Sequence, residues 1–221
     1  MKKSMKVTLF AAVSALSVLS VSSVAQAGMS NLSNETTQSS SFVYQVATDA
    51  KGQKAQDFIN SMGKDAISFL GNASLSNSQK QKKFQTLLQS SFDMSGIGRF
   101  ALGRHWRTAT PQQQAEYQKL FESMVVDVYS SRFGEYNGEK FSIDGSRADG
   151  KKDILVNSSI IPNGGSKIKV DWRVREKNGQ MKVIDVVIEG VSMALTQRSD
   201  FSSVIQRGGG KIDVLLEHLR K

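Results

Sequence analysis

The sequence predicts an α+β domain in which several helices pack against one face of a twisted antiparallel sheet of about four strands. Helical periodicity dominates the chain up to about residue 138, and alternating strand patterns follow it. The clearest strand pattern covers residues 168–193, where two apolar strands flank the tight-turn pair Asn178-Gly179. The other predicted elements are expected to pack against this hairpin.

The two strands of this hairpin differ in how many faces are apolar. On the first strand, charged residues alternate with Ile168, Val170, Trp172 and Val174, which predicts one dry face and one wet face. The second strand is apolar on both faces, with Val183 and Val187 assigned to one face and Ile184, Val186 and Ile188 to the other. A strand of this kind is expected to have protein or ligand on both sides.

Capping residues and apolar periodicity predict the first three helices. The first helix carries an apolar face from Ala55 onward and ends at Gly71. Ser76 is expected to cap the second helix, with Gln79 completing a capping box. Asp93 is expected to cap a short third helix that several glycines interrupt.

The fourth helix has the strongest signal in the chain. Thr110 and Gln113 form a capping box, Pro111 suits the first helical position, and Gly134 ends the helix. Its apolar stripe recurs at spacings of three and four and consists of Tyr117, Leu120, Phe121, Met124, Val125, Val128 and Tyr129.

Further strands and two short helices complete the predicted domain. Phe141 and Ile143 alternate with polar neighbours, and residues 154–161 form a second apolar run before the hairpin. After the hairpin, apolar spacings predict one helix around Phe201 and a last helix around Leu215. The domain is expected to extend without a second boundary over residues 42–221.

The first residues are expected to be a targeting signal rather than part of the fold. Residues 1–27 combine a basic start, an uncharged apolar run over 7–21 and the small-residue pattern Ala25-Gln26-Ala27. This arrangement predicts a secretory signal peptide, since the apolar run is short for a membrane span. Residues 28–41 are polar and aperiodic, which predicts a disordered lead-in.

Charge and cysteine content narrow the classes of partner. The chain has no cysteine, so an oxidising compartment is tolerated without disulfides. The net charge is +9, and loss of the three lysines in the signal segment leaves +6, which suits anionic partners. Lipid headgroups and acidic protein surfaces are compatible with export, whereas a nucleic acid partner is not expected.

The sequence contains little that predicts catalysis. Its two histidines, His105 and His218, have no recognisable triad partners, and neither Gly-x-Ser-x-Gly nor His-Glu-x-x-His occurs. The run Gly208-Gly209-Gly210-Lys211 lacks the Ser/Thr of a phosphate loop and is interpreted as a helix break. No catalytic residue, metal or cofactor is expected, and an esterase or transferase would need a triad assembled from distant residues.

The apolar faces fit two readings that residue pattern does not separate. Methionine and aromatic stripes at helical spacing are usually ordinary core packing. The same stripes could instead line a cavity for an apolar ligand, because a filled core and an empty slot have the same periodicity. Both interpretations stay open on the pattern alone.

Two stretches of the chain resemble a known family. Residues 101–117, ALGRHWRTATPQQQAEY, lead into the helix that carries Phe121 and Tyr129. Residues 185–193, DVVIEGVSM, precede Arg198, Phe201 and the leucine-rich last helix. Both stretches, in this order and after a signal peptide, resemble the MlaC (toluene-tolerance) family of periplasmic phospholipid-binding proteins over nearly all of the mature chain.

The resemblance implies a soluble, monomeric periplasmic carrier of phospholipid. Such a carrier would move lipid between an outer-membrane lipoprotein complex and an inner-membrane lipid-transport ABC complex. Its fold would be similar to the nuclear-transport-factor fold, with acyl chains in an apolar slot between sheet and helices. A hopanoid-related lipid carrier of the same family is an alternative, and so is a periplasmic adaptor that binds only protein.

The resemblance also implies where lipid contacts lie. The slot is expected between the fourth helix and the hairpin, with the lipid-binding residues Leu102, Trp106, Phe121, Met124, Val125, Val128, Tyr129, Phe141, Val170, Trp172, Val187, Val191 and Met193. A basic loop carries Arg99, Arg104 and Arg107, which are expected at the surface for headgroup contact or docking.

Overall fold

A computed structural model describes the backbone of residues 38–221, with side chains from residue 50 onward. The described part has six helices and five strands, which confirms the predicted α+β class. The elements are α1 (Gln38–Leu70), α2 (Asn77–Ser91), α3 (Met94–Leu102), α4 (Pro111–Ser130), β1 (Lys140–Asp149), β2 (Asp153–Ile161), β3 (Ile168–Lys177), β4 (Gln180–Ile188), β5 (Val191–Ser192), α5 (Met193–Arg207) and α6 (Ile212–Leu219).

The N-terminal predictions fall largely outside these residues. The signal peptide expected over residues 1–27 is not among them, and neither is most of the lead-in expected over 28–41. Helix α1 already begins at Gln38, so residues 38–41 are helical rather than irregular. Within residues 38–221, no helix has the length and apolar character needed to cross a bilayer.

The sheet is antiparallel throughout, and its strands follow one another in chain order. Asn178 and Gly179 have φ values of 52° and 77°, so the predicted tight turn between β3 and β4 is present. A second turn of the same kind, at Glu189 and Gly190, adds β5 as one strand more than the prediction of about four. A strand of two residues is too short to produce an alternating pattern in the sequence.

A bulge interrupts the pairing of the hairpin strands. Arg173 pairs with Asp185, but the next residue, Val174, pairs with Val183, so Ile184 has no partner on β3. One extra residue on β4 reverses the face on which all its later side chains lie.

The bulge changes which residues of β4 share a face with Trp172. Trp172 lies opposite Val186, and directly opposed residues share a face of the sheet. Val187 lies opposite Asp171 and therefore points to the other face. The prediction that Val183 and Val187 share one face is wrong, because strict alternation along a sequence takes no account of a bulge.

Helix α1 covers the Trp172 face of the sheet. Its buried residues Ala55, Ile59 and Met62 belong to the same apolar cluster as the inward side chains of β2, β3 and β4. Gly63 allows a close approach, since a Cβ there would lie 2.7 Å from the ring of Phe141. Helix α4 does not pack directly on this face, because it packs mainly on α2, α3 and α6. The slot expected between α4 and the hairpin stays a prediction.

The carboxylate of Asp185 attaches the sheet to α5. This side chain is nearly buried and accepts hydrogen bonds from Ser192 Oγ at 2.6 Å and from the Ala194 N–H at 3.0 Å. Arg173 Nη1 lies 3.6 Å from the same carboxylate, and Arg173 Nε donates to Asp149 at 2.6 Å. The first turn of α5 is thereby held against β4.

We expect Asp185→Ala to lower the free energy of unfolding by about 2–3 kcal/mol, since it removes the charge-assisted hydrogen bonds from Ser192 and the Ala194 N–H to the carboxylate. Asp200→Ala, at an exposed position of the same helix, is the matched control and should change it by less than about 0.5 kcal/mol. Urea denaturation followed by circular dichroism measures both. Equal, small losses in the two variants would contradict the attachment.

Candidate functional site

The apolar interior of the described residues forms two clusters. The first, here called the sheet cluster, joins α1 to the inner face of the sheet and consists of Ala55, Ile59, Met62, Ile154, Val156, Val174, Met181 and Val183, with Phe58, Leu87, Phe92, Phe141, Ile143, Trp172 and Val186 packed against it. The second, the helix cluster, joins α3, α4, α5 and α6 and is centred on Ala101, Leu102, Tyr117, Phe121, Phe201, Ile205, Leu215 and Leu216.

Trp172 is fixed at the middle of the sheet cluster. Its Nε1 donates a hydrogen bond to Ser158 Oγ at 2.9 Å, and that hydroxyl donates to the Val170 carbonyl at 2.7 Å. The rings of Phe92 and Phe141 each lie 6.5 Å from the Trp172 ring in edge-on geometry. Trp172 therefore presents a half-buried apolar ring with its polar N–H already satisfied.

The helix cluster is organised around Tyr117. Its ring contacts those of Phe121 and Phe201, and its hydroxyl donates a buried hydrogen bond to the Gly98 carbonyl at 2.9 Å. Burial raises the pKa of the Tyr117 phenol, so this group remains a donor at every physiological pH. The hydrogen bond attaches α3 to α4.

The structure divides the predicted lipid contacts between the two clusters. Leu102, Trp106, Phe121, Met124 and Val125 belong to the helix cluster. Phe141 and Trp172 belong to the sheet cluster, and Val170 is buried on the same face of β3 as Trp172.

The remaining predicted contacts lie in neither cluster. Val128 and Val191 are exposed, and Tyr129 packs with the ring of Phe84 at 6.2 Å between α4 and α2. Met193 is half-buried at the first position of α5. Val187 lies on the face opposite Trp172, so the two residues do not line the same surface.

The three arginines of the basic loop lie at the surface and line one pocket. Arg99, Arg104 and Arg107 are exposed and line a pocket of about 420 Å³ together with a fourth arginine, Arg198 of α5. The other lining residues are Gly96, Phe100, Gly103 and Trp106. We call this feature the arginine pocket.

Aromatic rings hold two of its guanidinium groups. The Arg99 guanidinium lies 5.8 Å from the centre of the Trp106 ring, and that of Arg198 lies 5.2 Å from the centre of the Phe100 ring. Among the side chains from residue 50 onward, none forms an ion pair with any of the four arginines. The positive charge of the pocket is therefore uncompensated.

His105 borders the pocket and adds no compensating charge. Partial burial and the neighbouring Arg104 guanidinium lower the pKa of His105 from its ordinary value. The imidazole is thus neutral at pH 7, and the four guanidinium groups carry the charge. The described residues contain no group of three histidines, cysteines or carboxylates that could hold a metal ion.

Sequence reasoning did not assign Arg198 or Gly103 to this site. Arg198 lies far along the chain from the basic loop, and only the packing of α5 on α3 brings it there. Gly103 has a φ of +60° and would place a Cβ 3.0 Å from Arg198 Nε, so the pocket needs a glycine at this position. The glycine is visible in the sequence, but its conformation is not.

The fold is similar to that of a protein with a known ligand. The phospholipid-binding protein from Ralstonia solanacearum, solved in complex with a phospholipid, superposes with a TM-score of 0.65 at 26% sequence identity. The match covers 75% of this chain and 94% of that protein.

The sequence itself places the chain in a family. The sequence model of the MlaC protein family matches residues 60–221, which include all elements from the last third of α1 to the end of α6. The chain belongs to the MlaC protein family, and the resemblance noted from the two stretches is confirmed.

Two curated relatives agree with this assignment. The toluene tolerance protein ttg2D of Pseudomonas putida is 26% identical over 126 residues, and the intermembrane phospholipid transport system binding protein MlaC of Haemophilus influenzae is 25% identical over 128 residues. These matches cover 57% and 56% of this chain, and each spans 59% of the relative.

We expect Gly103→Ala to lower the free energy of unfolding by about 1–3 kcal/mol, because Gly103 has φ 60° and ψ −131°, a backbone conformation that is strained for any residue with a Cβ. Gly134→Ala is the matched control, since a Cβ there meets nothing within 4 Å and the change should stay within about 0.5 kcal/mol. Thermal denaturation of both variants measures the difference. An unchanged stability of Gly103→Ala would contradict the positive φ at this position.

Proposed function

We propose that this protein is a periplasmic phospholipid carrier whose acyl-chain slot lies between the sheet cluster and the helix cluster. The observation that carries the proposal is the structural match to the R. solanacearum protein, which was solved with a phospholipid and is covered over 94% of its length. Membership in the MlaC family supports the same ligand class.

The division of the interior into two clusters supports a slot at this place. Each cluster has its own fully buried residues, for example Val174 in the sheet cluster and Leu215 in the helix cluster. Half-buried apolar side chains such as Trp172 and Val125 surround these centres. Acyl chains inserted between two separately packed clusters would gain apolar contacts without requiring either cluster to lose its own.

The energetics of such a site need no catalytic residue. Each buried methylene contributes about 0.8 kcal/mol, so the two chains of a phospholipid gain on the order of 20 kcal/mol gross from a dry slot. That gain offsets the cost of taking a lipid out of a bilayer, because this cost is the loss of the apolar surroundings of the same acyl chains. A carrier of this kind exchanges lipid because the two environments are nearly equal in free energy.

The proposed route of transport follows from the family and from the expected export signal. The carrier would be monomeric and would move phospholipid between an outer-membrane lipoprotein complex and an inner-membrane lipid-transport ABC complex. A basic surface is suited to both tasks, because lipid headgroups and membrane surfaces are anionic.

We expect the protein purified after export under mild conditions to contain diacyl phospholipid in near-stoichiometric amounts. Solvent extraction followed by mass spectrometry identifies the lipid and also distinguishes phospholipid from a hopanoid-related cargo. Repeated lipid-free preparations from a lipid-replete periplasm would contradict the carrier and favour an adaptor that binds only protein.

We expect Val125→Trp to reduce bound lipid per chain several-fold while leaving the delipidated protein nearly as stable as the wild type. A larger side chain that fills a slot costs little, whereas overpacking a filled core costs about 1–3 kcal/mol. Val187→Trp is the matched control, because Val187 is half-buried but lies on the sheet face opposite Trp172. Lost stability with unchanged lipid in Val125→Trp would show that this residue is ordinary core.

A further inference from the structure

The arginine pocket has a charge arrangement that folding does not explain. Four guanidinium groups line one pocket of about 420 Å³, and the described side chains provide no carboxylate partner for them. Like charges at close range repel one another, so this arrangement costs stability in the free protein. An anionic ligand would remove that cost.

The chemistry of the donors indicates phosphate. A guanidinium group presents a planar fork of N–H donors that matches two oxygens of a phosphate, and several forks can share one phosphate group. Contact with the rings of Trp106 and Phe100 restrains the guanidinium groups of Arg99 and Arg198, which reduces the entropy lost on binding. The volume is large enough for a headgroup rather than for a single ion.

The surroundings of the pocket indicate where that phosphate comes from. Phe100, in the pocket wall, is 40% exposed, and Leu195, one turn before Arg198 on α5, is 57% exposed. Exposed apolar side chains beside exposed arginines are typical of surfaces that insert shallowly into the boundary between headgroups and acyl chains. An acidic protein surface would match the charge but would leave these two side chains without an apolar partner.

We infer that the arginine pocket binds the phosphate of an anionic phospholipid headgroup presented at a bilayer surface. The pocket would hold the protein at the membrane by a lipid that is not its cargo. This inference does not depend on the slot proposed above, since the pocket is formed by α3, the following turn and α5 and would act with or without acyl chains between the clusters.

The test is flotation of the exported protein with vesicles of phosphatidylcholine mixed with phosphatidylglycerol, against vesicles of phosphatidylcholine alone. At low ionic strength, with a Debye length of about 30 Å, the wild type should bind the anionic vesicles and should be released by added salt. R99Q/R198Q should bind about thirtyfold more weakly, because each basic residue near an anionic surface contributes about fivefold.

Three further variants keep the test independent of folding and of net charge. R104Q/R107Q removes the pocket arginines that have no ring contact and should weaken binding to the same extent. R147Q/R207Q removes two exposed arginines elsewhere and should change vesicle binding less than about threefold. Leu195→Ser should weaken vesicle binding several-fold, whereas binding of inorganic phosphate alone would not respond to this change.

The remaining outcomes separate the possible sources of the phosphate. Equal losses in all three double variants would overturn the inference in favour of general surface charge. Loss of bound cargo lipid from R99Q/R198Q, with vesicle binding unchanged, would place the headgroup of the cargo in the pocket and overturn the bilayer assignment. Absence of vesicle binding by the wild type would also overturn the bilayer assignment and would favour an acidic protein partner. Bound cargo measured by mass spectrometry on the same samples tests the carrier proposal separately.

Discussion

The carboxylate of Asp185 is a nearly buried charge at the junction of sheet and helices, and a buried charge is tolerated only where it is fully paired. Its partners belong to both layers: Arg173 extends from β3, while Ser192 and the Ala194 N–H belong to the start of α5. The positive end of the α5 dipole points at the same carboxylate, which adds to the attraction. One side chain therefore links the start of α5 to the sheet.

The rest of the helical layer depends on α5 in turn. Phe201 and Ile205 on its buried face belong to the helix cluster. On the exposed side of the same helix, the Arg198 guanidinium lies over the ring of Phe100. The arginine pocket is thus a consequence of the contact between α5 and α3, and Gly103 leaves room there for the side chain of Arg198. A surface site and an apolar core are built by the same helix, since one of its faces is buried and the other is exposed.

Local chemistry could be predicted from the sequence, and long-range packing could not. The capping boxes at Ser76 and Thr110 and the turn at Asn178 depend on residues within a few positions, and all three are present. The bulge at Ile184 depends on which strand pairs with which, so alternation assigned Val187 to the wrong face. The packing of α1 on the sheet includes a close approach of Gly63 to Phe141, which apolar periodicity does not encode. The same limit applies to Arg198, whose role follows only from packing.

The chain passes between the two clusters at a few points, and β4 holds two of them. Between α2 and α3, the Asp93 N–H donates to the Val183 carbonyl at 2.9 Å, and Lys177 pairs with the Asp93 carboxylate at 3.0 Å. Between β5 and α5, the crossing is held by Asp185. After α4, the ring of Phe133 packs on those of Phe69 and Phe84. If acyl chains lie between the clusters, as proposed, a lipid has to enter without breaking these crossings. Each crossing is fixed by buried or charge-assisted contacts.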